Sequence, residues 1–326
     1  MQNLYPLLLK PAYKDYLWGG DRIIRQFNRD MPPGVYAESW EVSDRPEGPS
    51  VIANGPLAGQ PLADILAAHG AAVMGSERDR FPLLIKLIDA SKTLSVQVHP
   101  NDDTARRYGG EAKTEMWYIL AADDEACVYA GLKDGVTPEQ LRAALENNDV
   151  EPLLVRQPVR AGDAVFMPGG RVHAIGAGCL ILEVQQNSNT TYRMYDWGRQ
   201  GPDGKPRELH IEQSLQVIQW NDPTPALLKP RCLSHMENNE LWEILSCPYF
   251  RLERLVLNTA WQAGNDGHTF HVLFVARGSG KITWGSEGCA ELQAGQSVLI
   301  PACMSAYELA PESGGMEILR ATSPLR

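Results

Sequence analysis

From Gly162 to His173 the chain reads Gly-Asp-Ala-Val-Phe-Met-Pro-Gly-Gly-Arg-Val-His. A glycine turn opens into a short apolar run. The proline stops that run, because it has no N–H to give to a sheet ladder. Two glycines then allow a sharp corner, and the histidine opens whatever strand follows. A chain punctuated in this way is built from short strands that turn back on one another. Gly295-Gln-Ser-Val-Leu-Ile-Pro-Ala-Cys-Met304 has the same rhythm of glycine, apolar run and proline, but offers no histidine where His173 falls. The expectation is two units of sandwich or barrel type, the second without a metal.

The remaining elements fit a mainly β chain with inserted helices. Phe81 to Ile88 is a nearly continuous apolar run, as in a strand buried on both faces, and Leu94 to His99 alternates apolar and polar until Pro100. Met116 to Val128 and Val165 to Met167 are further strand segments, and short strands dominate again from Arg251. Helices are expected over Pro61 to Val73, from the Thr137-Pro138-Glu139-Gln140 capping signal to Asn147, and over Glu208 to Trp220. Residues 1–60 read as irregular. Asp222 to Met236, with Pro223, Pro225 and Pro230, reads as a linker, giving units 1–222 and 237–326.

A length of 326 residues suits two such units, and 44% hydrophobic residues suffice for their cores. Thirty Lys+Arg against forty Asp+Glu leave a net charge of −10, which opposes binding to nucleic acid or to an anionic membrane surface. No stretch approaches the roughly 18 apolar residues of a membrane helix, and the N-terminus lacks the pattern of a secretory signal. Six scattered cysteines without a C-x-x-C pair read as buried reduced thiols, so a cytoplasmic setting is expected.

Gln97 and His99 are two apart in an alternating segment, so on a strand both side chains point to one face. Joined by Glu115 and His173, they would form a set of two imidazoles, one carboxylate and one amide oxygen. Such a set leaves positions open for water or substrate, and tolerates Zn, Mn, Fe or Co. A single strand histidine is ordinarily a hydrogen-bonded core residue, so the weight rests on the segment from Gly162 to His173.

That segment resembles the second motif of the cupins, G-x5-P-x-G-x2-H, through Gly162, Pro168, Gly170 and His173. Together with Leu94-Ser-Val-Gln-Val-His-Pro100, Lys113-Thr-Glu-Met-Trp117 and Glu183-Val-Gln-Gln-Asn-Ser-Asn-Thr-Thr-Tyr-Arg-Met-Tyr-Asp-Trp197, residues 1–220 resemble the short bacterial branch of the type I mannose-6-phosphate isomerases. The resemblance implies a cupin-type jelly-roll sandwich carrying the metal and a smaller cupin-like β domain at the C-terminus. It implies one zinc ion, or another divalent metal, held by Gln97, His99, Glu115 and His173. Arg193 and Lys113 would be catalytic, and Ser95 and Lys86 would contact the phosphate of a sugar phosphate. The implied reaction interconverts mannose 6-phosphate and fructose 6-phosphate through an enediol. Several members carry an aspartate four residues before the arginine, where this chain has Asn189.

Lys86 in an apolar strand needs a partner, either a ligand phosphate or a carboxylate of the core. Trp18 beside Gly19-Gly20 reads as loop packing, Tyr192 and Trp197 as support for the site, and Glu208, His210 and Glu212 as a solvated helix face. His268 and His271 read as structural. Other readings of the set are an isomerase of another sugar or sugar phosphate, an Fe(II) cupin dioxygenase, or a non-catalytic sugar-binding cupin. The chain is expected to be a monomer or homodimer.

Overall fold

The computed structural model describes residues 4–201, 204–236 and 238–324; the ends of the two expected units at 1–3, 237 and 325–326 lie outside the described residues. The fold is mostly β, with three antiparallel sheets and a few inserted helices. A six-stranded sheet runs in the order Ala164–Met167, Glu115–Ala122, Cys179–Gln186, Leu83–Ala90, Glu38–Val42, Ala12–Lys14. A five-stranded sheet faces it, in the order Tyr192–Tyr195, Val96–Val98, His173–Ile175, Cys127–Leu132, Leu154–Pro158. Ile88, Trp117, Ile119 and Ile181 of the first sheet pack against Val128, Ala130 and Ile175 of the second. This apolar layer is what joins the sheets into a sandwich.

The outer faces are also covered. Leu83, Ile85 and Leu87 share a core with Phe274 of the C-terminal strand His271–Trp284 and with Phe250 and Phe270, which lead into C-terminal strands. Leu83–Ala90 is thus buried along its whole length, which is why its sequence shows no polar alternation. On the five-stranded sheet, Val96, Val98 and Met194 are roofed by Leu141 and Leu145 of the helix Pro138–Glu146 and Val217 of the helix Ile211–Val217. Thr137 closes the capping box anticipated from its sequence, with both reciprocal hydrogen bonds made. The helix Leu62–Met74 ends on Gly75 at φ +79°, a left-handed residue suited to glycine.

The C-terminal strands form a ten-stranded sheet with a core of their own, including Leu255, Leu273, Ile282, Val298 and Ile318. Two strands of that sheet come from the other end of the chain. Leu7–Lys10 pairs with Ser297–Ile300, and Val51–Ile52 continues the edge. Residues 1–60 therefore hold strands where irregular structure was expected. These strands are two to five residues long, too short for a local period, and their partners lie far away in sequence. The expected linker is likewise partly ordered: Arg231–Met236 is a strand paired with Asn239–Ser246. A helix at Asp102–Tyr108 went unanticipated because it buries no residue and carries no apolar stripe, only an Asn101 cap. No cysteine is in a disulfide among the described residues. Only Cys127 and Cys179 are buried, while Cys232, Cys289 and Cys303 are exposed, contrary to the expectation of buried thiols throughout.

Phe81 and Phe270 join the two halves of the molecule, with fully buried rings 4.4 Å apart between centroids. Phe81→Ala is expected to lower unfolding stability by about 3–5 kcal/mol in denaturant titration. A loss below about 1 kcal/mol would mean the cavity collapses or the halves do not depend on this contact.

Candidate metal centre

Strand register brings the site together. His173 lies opposite Gln97, and Gln97 lies opposite Arg193, so three side chains stand in a row across adjacent strands of one sheet. The Pro-Gly-Gly corner makes this possible. A Cβ on Gly169 would come within 2.8 Å of Asn101 Cα and Pro100 O, so only glycine lets the two chain segments approach. Gly170, at φ +94°, donates its N–H to His99 O at 2.7 Å. His99 and His173 are thereby pinned side by side, with ring centroids 4.8 Å apart. Glu115 enters from the facing sheet as the first residue of Glu115–Ala122.

The ligand atoms of His99, Glu115 and His173 all lie within 4.8 Å of one another, and all three residues are buried. His173 Nε2 is 3.3 Å from Glu115 Oε1, and His99 Nε2 is 3.7 Å from Glu115 Oε2. Each imidazole has its other nitrogen committed: Nδ1 of His99 meets Thr190 O at 2.8 Å, and Nδ1 of His173 meets Arg171 O at 2.8 Å. A carbonyl only accepts, so both Nδ1 atoms carry the proton and both Nε2 lone pairs face the shared centre. Burial holds His173 down to about 3 and His99 well below the ordinary imidazole value, so both rings stay neutral and able to ligate. The Gln97 amide lies 3.3 Å from His173 Nε2 through Nε2, and half a turn of that amide would present its oxygen instead.

Two lysines and two further carboxylates complete the interior. Lys113 Nζ is 2.6 Å from Glu115 Oε2 and 3.3 Å from His99 Nε2. Glu183, on the strand between those carrying Glu115 and Lys86, stands 4.0 Å from Lys113 and 3.7 Å from Lys86, and accepts a hydrogen bond from Trp117 Nε1 at 3.1 Å. Lys86 is also 3.5 Å from Glu38. Burial, then the charge of Glu183, pushes Glu115 up to about 8. Burial would raise Glu183 too, but the ammonium groups of Lys113 and Lys86 outweigh it and hold its carboxyl low. Three carboxyl groups thus face two lysines, and Glu115 is met by the Lys113 ammonium at Oε2 while no hydrogen bond reaches its buried Oε1. Two imidazole lone pairs and Glu115 Oε1 face one another in a buried space, and a divalent cation among Glu115, His99 and His173 would satisfy them and hold Glu115 ionised. The residues present fit such an ion.

Arg193 donates through Nη1 to Glu208 O at 3.0 Å, while its buried Nε has no hydrogen-bond partner. Ser95 is buried just before the strand Val96–Val98 that carries Gln97. Lys86 sits between Glu38 and Glu183, and these core carboxylates account for its burial without a ligand. Asn189 is exposed and donates its backbone N–H to Glu111 Oε2. Glu212 is spent on Arg142 at the helix surface, away from any ligand set. His271 is buried against Tyr307 Oη at 2.8 Å. Glu38 and Glu183 were not singled out from sequence. Their signal was available: Glu183 interrupts the apolar run Cys-Leu-Ile-Leu-Glu-Val, and it lies directly opposite Lys86.

The family described as phosphomannose isomerase type I, catalytic domain, matches residues 7–131. The mannose-6-phosphate isomerase of Streptococcus mutans serotype c is 36% identical over 319 residues, covering 98% of each chain. Mannose-6-phosphate isomerase ManA of Bacillus subtilis is 35% identical over 308 residues, covering 93% of this chain and 95% of the relative. Among solved structures, the mannose 6-phosphate isomerase of Bacillus subtilis superposes with a TM-score of 0.89 at 30% identity, covering 98% of this chain and 99% of that one. The apo enzyme from Salmonella typhimurium reaches 0.75 at 16% identity, with 99% and 100% covered, a likeness of fold alone.

Proposed function

Because the chain belongs to the type I mannose-6-phosphate isomerase family, we propose that it is a metal-dependent isomerase that interconverts mannose 6-phosphate and fructose 6-phosphate. The observation that carries this reading is the convergence of His99, Glu115 and His173, with both Nε2 lone pairs and Glu115 Oε1 turned to one buried point. We assign the ion to Gln97, His99, Glu115 and His173, and name zinc, one per chain, as the metal. A divalent ion held there supplies Lewis-acid polarisation of the sugar's O1 and O2.

In the open-chain aldose, a base takes the C2 proton while the C1 carbonyl oxygen gains charge and then a proton. Returning a proton to C1, with loss of the O2 proton, gives the ketose. Lys113 is the group we assign to hold and move a proton, through Nζ. Glu183 is its neighbour, with Oε1 free of hydrogen bonds and able to accept one. Arg193, permanently charged and planar, suits the developing negative charge on O1 and O2. Ser95 and Lys86 are the proposed phosphate contacts; Lys86 lies between Glu38 and Glu183, so a phosphate would have to displace one of these carboxylates from it. Asn189 cannot act as a base, so that duty does not fall at its position. Among the described residues no helix is long and apolar enough to cross a membrane; the cytoplasm is the place of action we propose.

The test is a coupled assay for fructose 6-phosphate formed from mannose 6-phosphate. Chelation is expected to abolish turnover, and added zinc to restore it. A metal-loaded protein that forms no fructose 6-phosphate ends the proposal. Equal turnover with and without metal would keep the isomerase and remove the metal from it.

A further inference from the structure

Glu111 lies outside the ligand set, on the segment between the helix Asp102–Tyr108 and Lys113, yet it bonds three consecutive residues of the turn that carries Thr190. Its backbone N–H donates to Thr190 Oγ1 at 2.9 Å, and its backbone carbonyl accepts from Ser188 Oγ at 3.0 Å. Its Oε2 accepts the Asn189 N–H at 2.9 Å. The carboxylate is itself held by Arg45 at 3.0 Å and Arg80 at 2.9 Å, and both arginines also donate to the carbonyl of Asn187. The Thr190 carbonyl is the acceptor that fixes the His99 ring, at 2.8 Å from Nδ1. A continuous chain of bonds therefore runs from the Arg45–Glu111–Arg80 ion network through the 188–190 turn to His99. About a third of the Glu111 side chain is exposed and 12% of that of Arg45, so this pair is sheltered from full solvent screening, while Arg80, 49% exposed, is not.

We infer that Glu111 is a positioning residue for His99: it holds the Thr190 carbonyl where it keeps the proton on Nδ1 and the Nε2 lone pair aimed at the metal. Outer groups that orient a ligating histidine typically contribute 10–100-fold to metal affinity. The inference rests on His99 being a ligand, and its readouts do not depend on turnover.

Two measurements on Glu111→Ala decide it: zinc affinity by competition with a chelator, and the His99 ring tautomer by 15N NMR of the metal-free protein. Alanine keeps the backbone bonds to Thr190 and Ser188 and removes only the carboxylate's bonds to Asn189, Arg45 and Arg80. The zinc dissociation constant is therefore expected to rise by about 10-fold, the low end for groups that orient a ligand, and the Nδ1–H tautomer, which Lys113 Nζ at 3.3 Å from Nε2 also favours, to admit a fraction of Nε2–H. Glu111→Gln keeps an acceptor for Asn189 but loses the charge that draws Arg45 and Arg80, so its values should fall between. A Glu111→Ala protein with unchanged zinc affinity and an unchanged tautomer overturns the inference, even if it melts at a lower temperature. Should circular dichroism show Glu111→Ala unfolded, unchanged values in Glu111→Gln overturn it instead. An inactive wild type would defeat the isomerase reading yet leave both comparisons intact. A wild type that binds no zinc would defeat the metal reading, and the tautomer would still decide the place of Glu111.

Discussion

His173→Ala should yield a folded protein that binds no stoichiometric metal and turns over no mannose 6-phosphate. The fold is expected to survive because the substitution leaves the backbone pairing of His173 with Gln97 and Ala130 untouched. The site is not expected to survive. Only one imidazole is left beside Glu115, whose Oε2 is already held by Lys113 and whose Oε1 is buried without a hydrogen bond. The fall in metal affinity should exceed the roughly 10–100-fold that a merely supporting residue would cost. Metal content by elemental analysis and activity in the coupled assay read the two effects separately. Stoichiometric metal retained in the variant would show that His173 is not a ligand.

Arg193→Lys is expected to separate the metal from the chemistry. The metal content should stay at the wild-type level, since Arg193 is not among the donors that converge on Glu115. The rate should fall by about 10²–10³-fold, the usual cost of removing one pre-placed donor from a developing oxyanion. Lysine keeps the charge but loses the planar fork, and its shorter reach abandons the position that register places beside Gln97. If Arg193 acts on the transition state rather than on substrate binding, kcat and kcat/KM should fall together. A near-normal kcat would remove Arg193 from the chemistry.

How much of this was legible before folding depends on how local the signal was. The helix at Pro138–Glu146 could be read because cap, proline and glutamine sit within four residues of one another. The strand Leu83–Ala90 could be read because burial on both faces leaves a continuous apolar run. Leu7–Lys10 and Val51–Ile52 could not, because what makes them strands is their place in the sheet of Ser297–Ile300. The helix Asp102–Tyr108 packs no apolar face, so periodicity had nothing to report.

The same division runs through the site. The two-residue spacing of Gln97 and His99, and the corner before His173, are local facts; that Glu115 joins them as a ligand set was implied by the resemblance of four ordered segments to one family. Only the tertiary structure decided that Lys86 is held by Glu38 and Glu183, that Glu115 meets Lys113 through Oε2 and leaves Oε1 without a hydrogen bond, and that Glu111 reaches His99 through Thr190. Those relations join side chains on different strands and loops, often dozens of residues apart. Sheet register and burial, not neighbouring sequence, set which charges meet there and which are left to a ligand.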